Sequence, residues 1–241
     1  MKTGIRAVLF DKDGTLLDFD AAWTPAYETA ALFAADGNRE RAQTFLEKTG
    51  MDPVTRKSAA GSLLAAGNSA EIAVAWIAAG AAFEPDALAV ELDRIFIARM
   101  HDAPPLPGIL ETLQILSRAG YLLGVASSDS EAAIRTFLKG SGMAEYIAFV
   151  TGYDTGFGPK PEPGMVHAFA EALGLAPGEI AVIGDNTHDL EMARSAGVGL
   201  AIGVLSGTSG REDLEPLADI VLGSVKDLSA LIAAKGDALA D

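Results

Sequence analysis

Cysteine is absent from the 241-residue chain, which excludes disulfides, thiolate metal centres and a thiol nucleophile. Positive charge is scarce: 18 Lys and Arg stand against 33 Asp and Glu. The resulting formal net charge of -15 argues against nucleic acid or an anionic membrane surface as a partner. A small anionic substrate fits that balance only where a metal or a local Lys or Arg reverses the field. Long apolar runs are lacking too. The longest uncharged segment worth testing as a membrane span, Ile72 to Phe83, lies between Glu71 and Glu84; it is too short to span and reads as a buried helix. Met1 to Arg6 lead within a few positions into Asp11, leaving no apolar stretch long enough for a signal peptide, so a soluble cytoplasmic protein is expected. No G-x-G-x-x-G follows a strand, and neither a P-loop nor a G-x-S-x-G elbow occurs. There are no internal repeats, and the last residues after Lys235 are expected to fray.

What is present is a composition 49% hydrophobic, ample for one large domain or for a core with a smaller partner. From about residue 106 onward, helical and strand patterns alternate. Pro107-Gly108 opens a helix carrying Ile109, Leu113 and Leu116, ended by Gly120. Tyr121 to Ala126, Ile147 to Val150, Ile180 to Ile183, Val198 to Ile202 and Ile220 to Leu222 read as strands, joining an N-terminal strand from Ile5 to Phe10. Between them lie helices around Ile134 to Gly140, Met165 to Leu173 and Leu190 to Ala196. Near-continuous apolar strands separated by amphipathic helices predict an α/β fold, a doubly wound parallel sheet covered on both faces. Residues 17–104 are instead Ala-rich with helical periodicity and read as an all-helical insertion into a core of residues 1–16 and 105–241. Its return hinge is the proline-rich stretch from His101 to Gly108.

Four polar clusters fall where strands run out, the place at which open α/β sheets bind ligands. The first is Asp11-Lys12-Asp13-Gly14-Thr15. Alternation along an extended chain puts Asp11 and Asp13 on one side and points Lys12 away, while Gly14 permits a sharp turn. Two converging carboxylates resist dual ionisation unless a cation sits between them. An EF-hand reading fails because Leu16 stands where that loop needs Gly. The second is Ser127, followed by Ser128; its hydroxyl can donate to a phosphate oxygen, although a Ser there is also a common helix N-cap. The third is Lys160, braced by Pro159 and Pro161 so that aiming its ammonium costs less entropy. The fourth runs from Gly184 to Asp189. Asp185 and Asp189 would share a face if the helix has begun, and an acidic helix N-terminus satisfying the dipole is the plainer alternative. All-oxygen ligands select a hard cation, Mg2+ first.

This set, in this order, resembles the haloacid dehalogenase superfamily of phosphohydrolases, and the long gap after the first motif looks like that family's helical cap. The resemblance implies that Asp11 is the nucleophile, forming an aspartyl-phosphate, and that Asp13 protonates the leaving alcohol and then activates water. It implies that Ser127, Ser128 and Lys160 hold the phosphoryl oxygens. It further implies Mg2+ held by Asp11, the backbone carbonyl of Asp13 and Asp185, with Asp189 nearby or acting through water. The second Asp favours phosphomonoesters over halides, and the cap type resembles phosphoglycolate phosphatases and their sugar-phosphate- or nucleotide-hydrolysing relatives. The expected partner is therefore a small phosphorylated metabolite. Ser128 departs from the family's common Asn. Trp23, Tyr27 and Arg56 are candidates for reading the substrate, though aromatic residues at helical spacing usually belong to a core. His188 faces either substrate or solvent. A phosphate-binding or receiver-like module is the non-enzymatic alternative, but it needs neither the insertion nor the second Asp.

Overall fold

A single sheet of six parallel strands carries the described residues, 4–228, in this computed structural model. The chain after Lys235 lies outside them. The strands are β1 (Ala7–Phe10), β2 (Leu122–Ala126), β3 (Phe149–Thr151), β4 (Ile180–Gly184), β5 (Leu200–Val204) and β6 (Ile220–Leu222), in the order β3-β2-β1-β4-β5-β6. β1, β4 and β5 are buried along their whole length, which explains why they read as unbroken apolar runs. Successive residues of β1 feed opposite cores. Val8 and Phe10 pack with Leu113, Leu116, Ile134 and Phe137, whereas Ala7 and Leu9 pack with Val166, Phe169, Leu190 and Ala193. The chain steps outward from β1 to β3, then returns to the other side of β1 for β4. That reversal opens a crevice at the carboxyl ends of β1 and β4.

The core helices are α6 (Ile109–Arg118), α7 (Glu131–Gly140), α8 (Gly164–Leu173), α9 (Thr187–Ala196) and the short α10 (Arg211–Leu214). Before them in the chain, between β1 and α6, come α1 (Phe19–Ala34), α2 (Arg39–Thr49), α3 (Leu63–Ala66), α4 (Ser69–Ala78) and α5 (Pro85–Met100). The chain leaves and rejoins the sheet along adjacent paths. Asp18 N donates to Pro104 O at 3.0 Å and Leu106 N to Leu16 O at 2.9 Å. Inside this helical group Trp76 is fully buried, with its ring 6.0 Å from Phe45 and its indole N–H donating to Thr49 Oγ1 at 3.2 Å. None of the described helices is long and apolar enough to cross a membrane.

Several boundaries differ from the sequence reading: β1 and β2 begin later than expected, β3 is shifted to Phe149–Thr151, and three further differences have a clear local cause. The expected buried helix Ile72 to Phe83 is α4, which begins earlier because Asn68 and Glu71 form a reciprocal capping box, and stops before Gly80, whose φ is 109°. Only one face of it is buried; Val74 is 57% exposed, because a run without charge is not a run without solvent. α9 begins at Thr187, before Leu190, capped by Asn186. β5 begins at Leu200 because Gly197, at φ 68°, still belongs to the turn. Trp76→Ala is expected to destabilise the protein by about 3–5 kcal/mol through loss of contact and a residual cavity, read from urea unfolding; a cost below about 1 kcal/mol would contradict its central place.

Candidate active site

β1 hands the chain directly to the crevice: Asp11 N still donates to Ile183 O of β4 at 2.8 Å. Gly14 then turns with φ 73°, and a Cβ there would lie 2.7 Å from an Asp185 carboxylate oxygen, so the turn requires glycine twice over. Asp11 Oδ1 accepts from Lys160 Nζ at 2.6 Å. Asp13 points to the same side, with Oδ2 accepting from Ser127 Oγ at 3.2 Å and Oδ1 accepting from the Trp23 indole N–H. Lys12 does not leave the site as alternation predicts. Its stem departs on the Phe10 side, but its fully buried ammonium curls back to Asp13 Oδ1 at 2.6 Å and to Asp129 Oδ2 at 3.2 Å. Burial opposes that ammonium, yet Asp13 and Asp129 outweigh it and hold Lys12 above its ordinary pKa. Asp129 in turn is pushed up to about 6 by burial, with Lys12 opposing.

Across the crevice, Asp185 directly follows β4. Its Oδ2 accepts from Thr208 N at 2.8 Å and its Oδ1 from Thr15 Oγ1 at 3.4 Å. Asp189 sits in the first turn of α9, where Oδ2 accepts from Asn186 N at 3.1 Å and Oδ1 from Lys160 Nζ at 2.6 Å. It therefore both caps the helix and faces the site, so the two readings of its sequence position are compatible. Asp185 precedes the helix, and the pair meets because the strand end and first turn fold together.

Ser127 is not the N-cap of α7; Ser130 caps that helix, and Ser127 Oγ instead accepts from Asp129 N at 3.1 Å while donating to Asp13. Ser128 and the half-buried His188 both line the cleft, a half-open space of about 560 Å³ that includes its solvent-filled mouth. So do Trp23 and Tyr27. Trp23 stacks on Tyr27 with ring centroids 5.0 Å apart, and Tyr27 OH donates to Leu64 O at 2.6 Å, so these side chains serve core and cleft together. Arg56 is elsewhere, exposed and paired with Glu28. Sequence reasoning overlooked the loop Ser206-Gly207-Thr208 after β5. Ser206 Oγ donates to Gly14 O at 2.7 Å, and a Cβ on Gly207 would collide with Asp185. The signal was available, since this Gly- and Ser-rich loop is another strand-end cluster.

The sequence profile of the haloacid dehalogenase-like hydrolases matches residues 5–197. The chain belongs to the haloacid dehalogenase-like hydrolases. The chain is 31% identical over 204 residues to "Phosphoglycolate phosphatase" of Rhodospirillum rubrum, covering 82% of this chain and 78% of that protein. It is 38% identical over 109 residues to "Probable phosphatase IndB" of Dickeya dadantii, spanning 45% of this chain and 47%, about half, of that relative. In fold it is similar to CbbY from Rhodobacter sphaeroides in complex with phosphate, at a TM-score of 0.70 and 23% identity over 93% of this chain and 96% of that one.

As in a hydrolase built on acidic residues, like charges here are forced together. Burial pushes Asp185 up to about 7, reinforced by Asp189, and pushes Asp11 well above the usual carboxylate range, with Lys160 opposing. Burial works against the Lys160 ammonium, but Asp11 and Asp189 prevail and raise it. Oxygens of Asp11, Asp185 and Asp189 lie within 4.8 Å of one another, all buried. The Asp13 side chain is not in this group; its oxygens are taken by Lys12, Trp23 and Ser127. Nearby, Asn186 Nδ2 is buried with no protein partner among the described residues. A crowded all-oxygen set with one ammonium fits a hard divalent cation.

The sign of the pH effect follows. Asp11 and Asp185 bind protons more tightly folded than unfolded, so the metal-free protein loses stability as pH rises from about 4 through about 7. A divalent cation competes with those protons. The rise in Tm on adding Mg2+ is therefore expected to be larger at about pH 8 than at about pH 5.5, measured by scanning calorimetry; equal rises would contradict a metal held by these carboxylates.

Proposed function

We propose that this hydrolase is a Mg2+-dependent phosphatase that cleaves a small phosphomonoester through an aspartyl-phosphate on Asp11. The observation that carries this reading is the meeting of Asp11, Asp13, Ser127, Lys160, Asp185 and Asp189 at the β1/β4 crevice, from four separate stretches of chain. A carboxylate oxygen of Asp11 attacks phosphorus, the ester P–O bond breaks, and Asp13 gives its proton to the departing alcohol oxygen. Asp13 then accepts a proton from water as that water attacks phosphorus, and the bond to Asp11 breaks, releasing phosphate. Lys160 and Ser127, with Ser128 at the rim, hold the phosphoryl oxygens, which compete with Asp13 for the Ser127 hydroxyl. Asp11, Asp185 and Asp189, with the Asp13 carbonyl, would hold Mg2+, which supplies positive charge to offset the approach of a phosphate dianion to carboxylates. Residues 17–104 serve as a cap, hinged where Leu17 and Pro105 run side by side, and shield the aspartyl-phosphate from bulk water.

The relatives' names put phosphoglycolate first among substrates to test. A second reading is favoured by the wall of the cleft: Phe19, Trp23, Tyr27, Leu64, Ile72 and Phe96 line it, and its one ammonium among the described residues, Lys160, already faces two carboxylates. Such a wall suits a neutral leaving group with an apolar face better than a carboxylate. Phosphate release from a panel with Mg2+ or EDTA tests both readings: sugar phosphates and nucleotides are expected to exceed phosphoglycolate in kcat/KM, and the reverse order would assign the carboxylate ester. Asp11→Asn should lower turnover by about three orders of magnitude or more with the fold intact. Lys160→Ala should lower kcat about 10²–10³-fold. Metal-independent release, or full activity of Asp11→Asn, would overturn the mechanism.

A further inference from the structure

Lys12 sits one residue from each of the first two carboxylates, yet the mechanism above gives it nothing to do. Its parity along the chain follows Val8 and Phe10, so it projects toward the apolar core shared with Phe137. A leucine or methionine would occupy that position at lower desolvation cost, since an ammonium taken from water is expensive unless closely paired. The lysine is nonetheless fully buried. Its Nζ lies 2.6 Å from Asp13 Oδ1, 3.2 Å from Asp129 Oδ2 and 3.5 Å from Met100 Sδ, with the Trp23 ring centroid at 5.1 Å.

Among the described residues Asp13 has three side-chain donors, and they differ in kind. Ser127 Oγ is shared with the phosphoryl-binding role, and the Trp23 indole belongs to a helix of the inserted segment. Lys12 alone comes from the same loop as Asp13, and it alone brings a formal positive charge, fully buried. Asp129 holds the ammonium from the other side and is itself fixed, accepting from Ser130 N at 2.8 Å and donating its own N–H to Ser127 Oγ. Asp13 and Ser127 are thus tied into one frame through Lys12 and Asp129.

We propose that Lys12 is a positioning residue: clasped by Asp129, its ammonium fixes one oxygen of Asp13 and so presents the other to the ester oxygen in the cleft. This rests on Asp13 being the group that protonates the leaving alcohol. An aryl ester such as p-nitrophenyl phosphate leaves without protonation, whereas an alkyl ester requires it. kcat/KM reports the path up to departure of the alcohol, so the two esters isolate this step from later hydrolysis.

The experiment compares wild type, Lys12→Met and Asp13→Asn as full chains with Mg2+, on p-nitrophenyl phosphate and on an alkyl phosphomonoester. Lys12→Met is expected to lower kcat/KM about 100-fold on the alkyl ester and less than about tenfold on the aryl ester, with Asp13→Asn showing the same split. If Asp13→Asn splits the esters and Lys12→Met lowers both equally or neither, the positioning role is overturned and the role of Asp13 stands. If Asp13→Asn itself does not split them, the reading of Asp13 falls, and this inference with it. Circular dichroism monitors folding. Should Lys12→Met fail to fold, the double variant Lys12→Met/Asp129→Asn, which removes the second carboxylate from the pair, is measured against the same criteria.

Discussion

Lys160 reaches Asp11 and Asp189 at 2.6 Å each, in a site where three buried carboxylates have oxygens within 4.8 Å of one another. Coulomb repulsion among these groups grows as water is removed, so a fold that gathers them needs cations to match. Much of the surrounding structure serves that constraint. Prolines stiffen the loop that carries Lys160, Asn186 and Asp189 cap α9 so that one carboxylate oxygen stays aimed at the ammonium, and Thr208 donates a backbone N–H to Asp185. The charge left over after Lys160 is what makes a divalent cation fit.

A second ammonium repeats the arrangement on the other side of Asp13. Lys160 pairs with Asp11 and Asp189, and Lys12 pairs with Asp13 and Asp129. Each lysine lies between two carboxylates, and each pair joins a residue of the first loop to one from a distant part of the chain. The two systems meet at the β1 terminus, where Asp11 and Asp13 share a side. The inserted helices add to the second system through Trp23, so the segment that shapes the cleft also touches the proposed proton-transfer group. In a low-dielectric site such fixed charges are effective because little reorganisation accompanies reaction.

The α/β alternation, the parallel sheet, and the placement of Asp11, Asp13, Ser127, Lys160, Asp185 and Asp189 in polar clusters at strand ends were legible without coordinates. Strand runs such as Ile180 to Ile183 are apolar because both faces are covered, and polar clusters at their ends mark where ligands bind. What misled was local. Ile72 to Phe83 lacks charge, but capping and Gly80 set the ends of α4, not hydropathy. Lys12 obeys strand parity at its Cα, and parity says nothing of where a long flexible stem returns its charge.

The sequence by itself determined which residue types stand at the strand ends and in what order, because backbone periodicity and turn chemistry are local properties of the chain. Only the tertiary structure decided who partners whom: that Trp23 and Tyr27 line the cleft while Arg56 pairs with Glu28 outside it, that Gly207 makes room for Asp185, and that Lys12 is bound between Asp13 and Asp129. Those choices depend on burial and on charges brought together from remote positions. Desolvation and Coulomb energy arise only when the elements pack, and neither can be read from spacing along the chain.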